Sequence, residues 1–328
     1  MKKSLRAAGF SQSAIEAAWP DWWSNDADAS TSARAELRFS LSRKLGLDPR
    51  SLLEDDLPKF VWTDKTKYKR LSAESRFEQE AMASFGTGVG RILVEGAGQQ
   101  AEIRPTAAEL RAAVLREKEF VHLPDVLGVC WSFGIPVGYL RVFPLTAKRM
   151  AAMAVNINDH YCILLSQNAR YPAPVSYYIA HELGHILLGH LEGQRALVDV
   201  GDPLTKDNDP EEIAADRFAL EFLTGQPEPT VTTDAKSFLS RQLADVAIRS
   251  AGKLGIEPGL LAMCFGHSTG RWDKAYGALK YIYSEAQPMW EPVNNVLVDQ
   301  LDWSAISPDM TAYVQGVLGI VHDARSLS

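Results

Sequence analysis

Apolar residues recur at a helical period over most of this chain. The clearest run is 33–45, where Leu37, Leu41 and Leu45 lie four positions apart and therefore share one helix face. A second run, 175–191, has apolar residues on several sides, which is typical of a buried helix. The same period predicts further helices at 73–93, 106–117, 121–133, 237–254, 259–265, 274–285, 293–301 and 310–318.

The period changes from helix to strand in one part of the chain. Residues 137–143, 150–157 and 161–165 read as short strands, and Asn158-Asp159 supplies a turn between the last two. A small sheet is therefore predicted directly before the buried helix. The expected fold class is α+β and mostly helical, with this sheet packed against that helix and helical regions on both sides.

The buried helix carries two histidines one turn apart. His181 and His185 share a face because an α-helix turns 100° per residue, so their imidazoles can hold one divalent cation. Glu182 projects beside them, within reach of a metal-bound water. The alternative is a chance match to a five-residue pattern. A buried pair of unpartnered histidines would be costly, however, and a metal removes that cost.

A third ligand is predicted on the next helix. Residues 209–220 begin with an Asp-Pro pair, which is a capping residue followed by a first-turn proline. Glu212 and Asp216 lie four positions apart on one face. Glu212 can complete a His₂Glu site while Asp216 accepts the second ring N–H of a ligand histidine. The alternative is an acidic, solvent-facing helix surface, which Phe218 and Phe222 make less favourable.

A three-histidine site is excluded by spacing. Such a site needs a glycine three residues and a histidine six residues after His185, where this chain has Leu188 and Leu191. If the helix continues, His190 lies roughly half a turn from the metal face. His190 is therefore predicted to be a surface histidine or to cap the helix end.

The order His181-Glu-Leu-Gly-His185, then Glu212-x-x-Ala215-Asp216, resembles the ImmA/IrrE metallopeptidases, also called the DUF955 domain. Members of that family are bacterial and phage regulators that have a gluzincin-like site and cleave DNA-binding repressors. The resemblance implies a zinc endopeptidase that makes a specific cut in a regulatory protein during a stress, phage or mobile-element response. The substrate partner is then expected to be a helix-turn-helix repressor.

The ligand set predicts a mechanism. Zinc on His181, His185 and Glu212 keeps a fourth position for water, and another divalent ion such as Mn²⁺ would suit the same ligands. Glu182 is the predicted catalytic base, and it passes the proton on to the leaving amine. Residues 161–166 are the predicted edge strand that pairs with an extended substrate backbone. Three tyrosines near the motif are candidate transition-state donors: Tyr171, Tyr177 and Tyr178.

Three domains are predicted. Residues 1–70 resemble a degenerate helix-turn-helix-like domain, 71–225 a zincin-like peptidase domain whose core begins at about residue 120, and 226–328 a helical C-terminal region. Where a recognition helix should lie, residues 21–28 are acidic and aromatic, which is wrong for a surface that faces phosphates. A docking or degenerate domain is favoured over a DNA-binding one.

The connector 59–70 is basic and contains three aromatic residues. This mixture can contact DNA or single-stranded nucleic acid, whereas the alternative is a solvated linker whose aromatic rings pack on the next domain. The alternative function for the whole chain is a DNA-binding transcriptional regulator or antitoxin-like protein with a sensory or vestigial metal domain.

Composition and charge limit the partners and the cellular compartment that the sequence favours. The net charge of -7 over 328 residues argues against a surface that binds nucleic acid throughout. No apolar run approaches the length of about 18 residues that a membrane span needs, and residues 1–5 lack an apolar signal core. The three cysteines show no C-x-x-C spacing and are predicted to be buried free thiols. A cytoplasmic protein with no membrane partner is expected.

Overall fold

The computed structural model describes residues 1–24, 26–53, 58–61, 66–69, 76–144, 151–193, 196–199 and 209–320. Within these ranges the chain is mostly helical with one small sheet, so the predicted α+β class is confirmed. The helices are α1 (Lys2–Ala7), α2 (Gln12–Ala18), α3 (Thr31–Leu45), α4 (Arg76–Ala97), α5 (Ala107–Val114), α6 (Leu123–Ser132), α7 (Pro172–Leu187), α8 (Pro210–Thr224), α9 (Ser240–Leu254), α10 (Pro258–Thr269), α11 (Trp272–Ile282), α12 (Trp290–Gln300) and α13 (Pro308–Leu318).

Five strands form a single mixed sheet in the order β1-β5-β3-β4-β2. β3 and β4 are an antiparallel hairpin, β2 runs parallel to β4, and β5 runs antiparallel to β3 and parallel to β1. Asn158 and Asp159 turn the hairpin with φ of 51° and 64°, the left-handed conformation that a tight two-residue turn requires. The strands are β1 (Thr66–Lys69), β2 (Val137–Tyr139), β3 (Ala152–Ile157), β4 (His160–Leu165) and β5 (Ala196–Asp199).

The prediction that residues 161–166 form an edge strand is wrong. β4 lies between two neighbours: Leu165 pairs with Ala152 of β3 and with Tyr139 of β2. Where β2 no longer reaches, the side chain of Gln100 takes its place: Nε2 donates to the carbonyl of Tyr161 at 2.5 Å, and Oε1 accepts from the Tyr161 N–H at 2.7 Å. The backbone of β4 therefore has partners on both sides, which the period of its side chains could not indicate.

The sheet is covered on both faces by helices. Because side chains alternate along a strand, Ala154 and Ile163 join the hydrophobic cluster that contains α7, whereas Val155 and Leu164 join the cluster that contains α4. Burial on both faces explains why β3 and β4 are largely apolar on both sides away from the hairpin turn, rather than alternating with polar residues.

Two glycines let α4 lie close to the sheet. A Cβ at Gly86 would lie 2.3 Å from Met153 Sδ, and one at Gly90 would lie 2.7 Å from Cys162 Sγ. Glycine normally weakens a helix interior. Here the helix is continuous through both positions because packing against β3 and β4 stabilises it.

The N-terminal helices share a core with the rest of the chain. Leu5 and Leu41 belong to the same hydrophobic cluster as Leu93 of α4 and Val317 of α13. Lys44 Nζ, which is buried, donates to Asp309 Oδ1 at 2.8 Å. The three-domain division stays a prediction, and a helix-turn-helix in residues 1–70 is not confirmed.

The structure describes the predicted basic connector 59–70 only in part. Its residues 62–65 and 70 lie outside the described ranges, so its contact with nucleic acid stays a prediction. Within the described part of the chain, no helix has the length and apolarity that crossing a bilayer requires. The three cysteines are free and buried, as predicted.

Candidate metal centre

α7 is the helix that carries the two motif histidines. Tyr171 precedes it in an extended conformation and Pro172 occupies its first position, where a missing N–H costs nothing. Every residue from 173 to 187 is buried. The helix therefore runs through the interior between the sheet and the other helices, and its polar side chains depend on partners inside the protein.

α8 brings the third predicted ligand to α7. Asp209 begins it by accepting a hydrogen bond from the backbone N–H of Glu211 at 2.9 Å. The two helices approach closely at Gly184, where an added Cβ would lie 3.2 Å from Phe218 Cβ and 3.3 Å from the carbonyl oxygen of Ala215. This close approach places Glu212 opposite the histidines.

His181, His185 and Glu212 converge. The Nε2 atoms of the two histidines lie 3.0 Å apart. Each of them lies 3.4 Å from one carboxylate oxygen of Glu212. All three residues are 0% exposed. A tetrahedral zinc ion with bonds of about 2.0–2.1 Å would separate its ligand atoms by roughly 3.3 Å. The donor set thus fits one small cation with little rearrangement, and these three residues could hold a metal ion.

The ionisation of the three groups is coupled. Burial opposes a charge on His181, but hydrogen bonds to Asp216 and Glu212 outweigh it and raise the pKa of His181 to about 10. Burial, helped by the nearby His181 charge, lowers the pKa of His185 to about 4. Burial alone would raise the pKa of Glu212, but hydrogen bonds from the two histidines hold it well below its usual range. The directions of these shifts favour a positive charge on His181 beside the Glu212 carboxylate, and a divalent cation would supply that positive charge instead.

Asp216 contacts the outer side of this cluster. Its Oδ1 lies 2.8 Å from His181 Nδ1, the ring nitrogen that faces away from Glu212. The Tyr177 hydroxyl donates to the same oxygen at 2.7 Å. A carboxylate in this place fixes the orientation of the imidazole and its tautomer.

The three candidate tyrosines lie in different surroundings. The Tyr177 hydroxyl donates to Asp216, and the Tyr177 ring lies beside the His181 ring, with centroids 6.1 Å apart. Tyr178 is buried and packs edge-on against Tyr177, with ring centroids 6.3 Å apart. Tyr171 stacks on Tyr283 at 5.6 Å and, ten residues before His181, lies about 15 Å away along the helix. The structure does not bring Tyr171 to the cluster, and a transition-state role for the other two stays a prediction.

Glu182 follows His181 directly and is 1% exposed. Its charge contributes to the raised pKa of His181, which indicates that the two side chains are close. A buried carboxylate beside a potential metal site is compatible with the predicted catalytic base, and that role of Glu182 stays a prediction.

His190 was predicted to be a surface histidine or to cap the helix end. It does lie at the helix end, but sequence reasoning missed the contact of its side chain with His185. α7 ends at Leu187, so His190 is not on a continuing helix. Its Nδ1 lies 2.8 Å from Nδ1 of His185. The signal that could have located it is Gly189, since a glycine after a helix commonly reverses the chain.

A separate cavity of about 580 Å³ opens near the C-terminal end of α7. Its lining includes Gln100, Arg104, Tyr161, Ile186 and Glu192. None of the three convergent residues lines it, so this space is distinct from the candidate metal centre.

Comparison with known proteins agrees with this geometry. Residues 132–229 match the family model of the IrrE N-terminal-like domain, Peptidase_M78. The matched segment contains β3, β4, α7 and α8, and so all three convergent residues. No curated protein matches the chain. The family match confirms the resemblance over this segment and supports a metallopeptidase of the ImmA/IrrE type.

Proposed function

We propose that this chain, whose residues 132–229 match the IrrE N-terminal-like domain, is a zinc-dependent endopeptidase. The observation that carries the proposal is the convergence of His181, His185 and Glu212 within bonding distance of one small cation. Glu182 lies beside them and is buried. A purely structural metal site would have no need of that carboxylate.

The residues divide the work of peptide hydrolysis. A bound zinc ion would supply a water of lowered pKa, about 7, and a positive charge for the scissile carbonyl. Glu182 accepts the proton of the attacking water and delivers it to the leaving amine. Asp216 and Tyr177 hold His181 in the orientation and tautomer that leave its Nε2 free to bind the ion.

The proposed substrate is a DNA-binding repressor that is cut once, in a stress, phage or mobile-element response. The family resemblance supports this choice of partner. The burial of Glu182 and of the three ligands supports cleavage within an extended segment, because a folded domain cannot reach them. Linkers and helix ends of helix-turn-helix repressors supply such segments. The three free cysteines support a reducing, cytoplasmic setting.

The test combines metal content with cleavage. Purified protein should contain about one zinc per chain, and Glu212→Ala should lose it. Glu182→Gln should retain the metal but lose cleavage, because it removes the base and no ligand. Incubation with helix-turn-helix repressors encoded nearby, followed by mass spectrometry, should give one cut site, with casein as the control for general proteolysis.

Three outcomes would contradict the proposal. Full peptidase activity of the Glu182→Gln variant would exclude Glu182 as the catalytic base. Broad degradation of casein would exclude a specific regulator. A shift of promoter DNA in a gel by a protein without peptidase activity would favour a DNA-binding regulator or antitoxin-like protein with a vestigial metal domain.

A further inference from the structure

α7 ends in a Schellman motif. The backbone N–H of Gly189 donates to the carbonyl of Ile186 at 3.1 Å, and that of His190 donates to the carbonyl of His185 at 3.0 Å. Gly189 has φ of +80°, the left-handed conformation on which this helix ending depends. The chain therefore turns back over the last turn of the helix instead of leaving along its axis.

This helix ending determines which side chains meet. In a Schellman motif, the residue after the left-handed position packs against the residue that receives its N–H, and the pair is usually apolar. Here the two residues are His185 and His190. Their ring centroids lie 5.0 Å apart and their Nδ1 atoms 2.8 Å apart.

The direction of the hydrogen bond follows from the candidate metal centre. Nε2 of His185 points at His181 and Glu212, so a metal ligand at this position must carry its proton on Nδ1. That Nδ1–H then donates to Nδ1 of His190, which must be unprotonated, so the proton of the neutral His190 ring sits on Nε2.

We propose that His190 is a positioning residue that orients His185 for metal binding, and that Gly189 brings it there. The inference rests on the metal centre proposed above. The two histidine ligands would thus be held by different chemistry. Asp216, a carboxylate, holds His181, and a neutral imidazole holds His185.

The backbone around His190 is held on both sides. A Cβ at Gly189 would lie 2.9 Å from Arg104 Nη1 and 3.0 Å from Glu192 Oε1, two groups that form an ion pair at 2.7 Å. The carbonyl of Leu191 accepts a hydrogen bond from Asn156 of β3 at 3.0 Å. His190 is consequently presented to His185 by a backbone that contacts the sheet.

The experiment compares four variants of the full-length protein. Zinc affinity is measured by competition with a chromophoric chelator, and the ligand field is read from the visible spectrum of the Co²⁺-loaded protein. His190→Leu keeps an apolar contact of the kind that normally closes a Schellman motif, so the helix end should remain. It removes the acceptor, and zinc should bind about 10- to 100-fold more weakly with a changed Co²⁺ spectrum.

Asn and Gln distinguish a hydrogen bond from packing. The Oδ1 of His190→Asn can take the position of Nδ1, so this variant should recover most of the affinity, whereas His190→Gln should resemble His190→Leu. His160→Leu is the matched control, because His160 is also half-buried and its Nδ1 contacts the carbonyl of Asn158 instead. It should bind zinc as the wild type does.

The outcomes separate this inference from the proposed function. Failure of the wild type to bind zinc or Co²⁺ would overturn the metal centre itself. Wild-type affinity and spectrum in His190→Leu would overturn only the role of His190. Equal losses in His190→Asn and His190→Leu would also overturn it, because packing rather than a hydrogen bond would then be responsible.

Discussion

Asp216 shows how one atom can connect two side chains. Its Oδ1 accepts from Tyr177 and contacts His181 Nδ1, at 2.7 Å and 2.8 Å. We expect Asp216→Ala to weaken zinc binding about 10- to 100-fold without abolishing it, because the ligands themselves remain. Tyr177→Phe should cause a smaller loss, since Asp216 would keep its contact with His181. Chelator competition measures both.

The control is Glu221→Ala, which removes another acid of α8 that lies on a different face from Asp216. It should leave zinc affinity unchanged. A loss in Asp216→Ala as complete as that in Glu212→Ala would mean that Asp216 binds the metal directly. No loss would mean that it is only a surface acid.

The convergence of residues in the candidate metal centre was predictable because it depends on local period. His181 and His185, and then Glu212 and Asp216, are each four positions apart, and a helix places such pairs on one face whatever the rest of the fold does. The contact between the rings of His190 and His185 was not predictable by the same reasoning. That contact depends on where the helix stops, which the left-handed Gly189 decides.

At the scale of elements, the close packing of α7 against α8 depends on Gly184. A side chain at Gly184 would meet Phe218 and the backbone of Ala215, which cannot move without moving α8. We expect Gly184→Leu to lower the free energy of unfolding by about 1–3 kcal/mol, as overpacking generally does. It should also weaken zinc binding, because α8 carries Glu212.

Gly128→Leu is the matched control in a helix. Nothing lies within 4 Å of a Cβ at Gly128 in α6, so this change should be neutral or slightly stabilising. Thermal unfolding and zinc titration of both variants test the difference. Equal behaviour of the two variants would show that the helices do not need their close approach at Gly184.

The edge of the sheet depends on a second polar side chain. Asn294 of α12 accepts from the N–H of Tyr139 at 2.7 Å, and donates to the carbonyls of Tyr139 and Leu318 at 2.9 Å and 2.8 Å. It is 1% exposed. Asn294→Leu would leave three buried backbone groups without a hydrogen-bond partner, and each such group costs about 1–3 kcal/mol. We expect a loss of several kcal/mol in the free energy of unfolding, measured by urea denaturation.

Asn295→Leu, at the exposed neighbouring position, should change stability by less than about 0.5 kcal/mol. A similar loss in both variants would mean that α12 tolerates leucine poorly at any position. A loss in neither would mean that water replaces Asn294 at the edge of β2.

Pairing between distant strands is the part of the fold that sequence reasoning could not supply. β1 pairs with β5 through Thr66 and Ala196, which lie far apart in the chain, and β1 falls inside the segment predicted to be a connector. The same limitation applies to β4. Alternation of apolar residues indicates a strand and its buried faces, but it does not say which strands lie beside it.

At the scale of the whole molecule, the N-terminal region cannot simply be removed. Leu5, Ile15 and Leu41 are completely buried in a cluster that also contains Leu93 and Val317. Deleting residues 1–70 would expose this apolar surface, so a deletion would confuse loss of folding with loss of a docking site. A surface substitution is the cleaner test of whether this region binds the substrate.

Trp22 is the residue to change. It is 46% exposed, packs edge-on against Trp23 and follows the exposed acid Asp21. An acidic and aromatic surface is complementary to the basic DNA-binding face of a repressor. We expect Trp22→Ser to raise KM for the intact repressor by about tenfold, while zinc content and cleavage of a short peptide spanning the cut stay unchanged.

Phe39→Ser is the comparison, because Phe39 is 52% exposed on α3, outside the acidic stretch. If exposed aromatic residues in this region matter only for solubility, the two variants will behave alike. If Trp22→Ser slows cleavage of the peptide and cleavage of the repressor equally, the change acts on the candidate metal centre and not on docking. A rise in KM confined to Trp22→Ser and the intact repressor is the result that docking requires, since only the intact partner carries a surface remote from the cut.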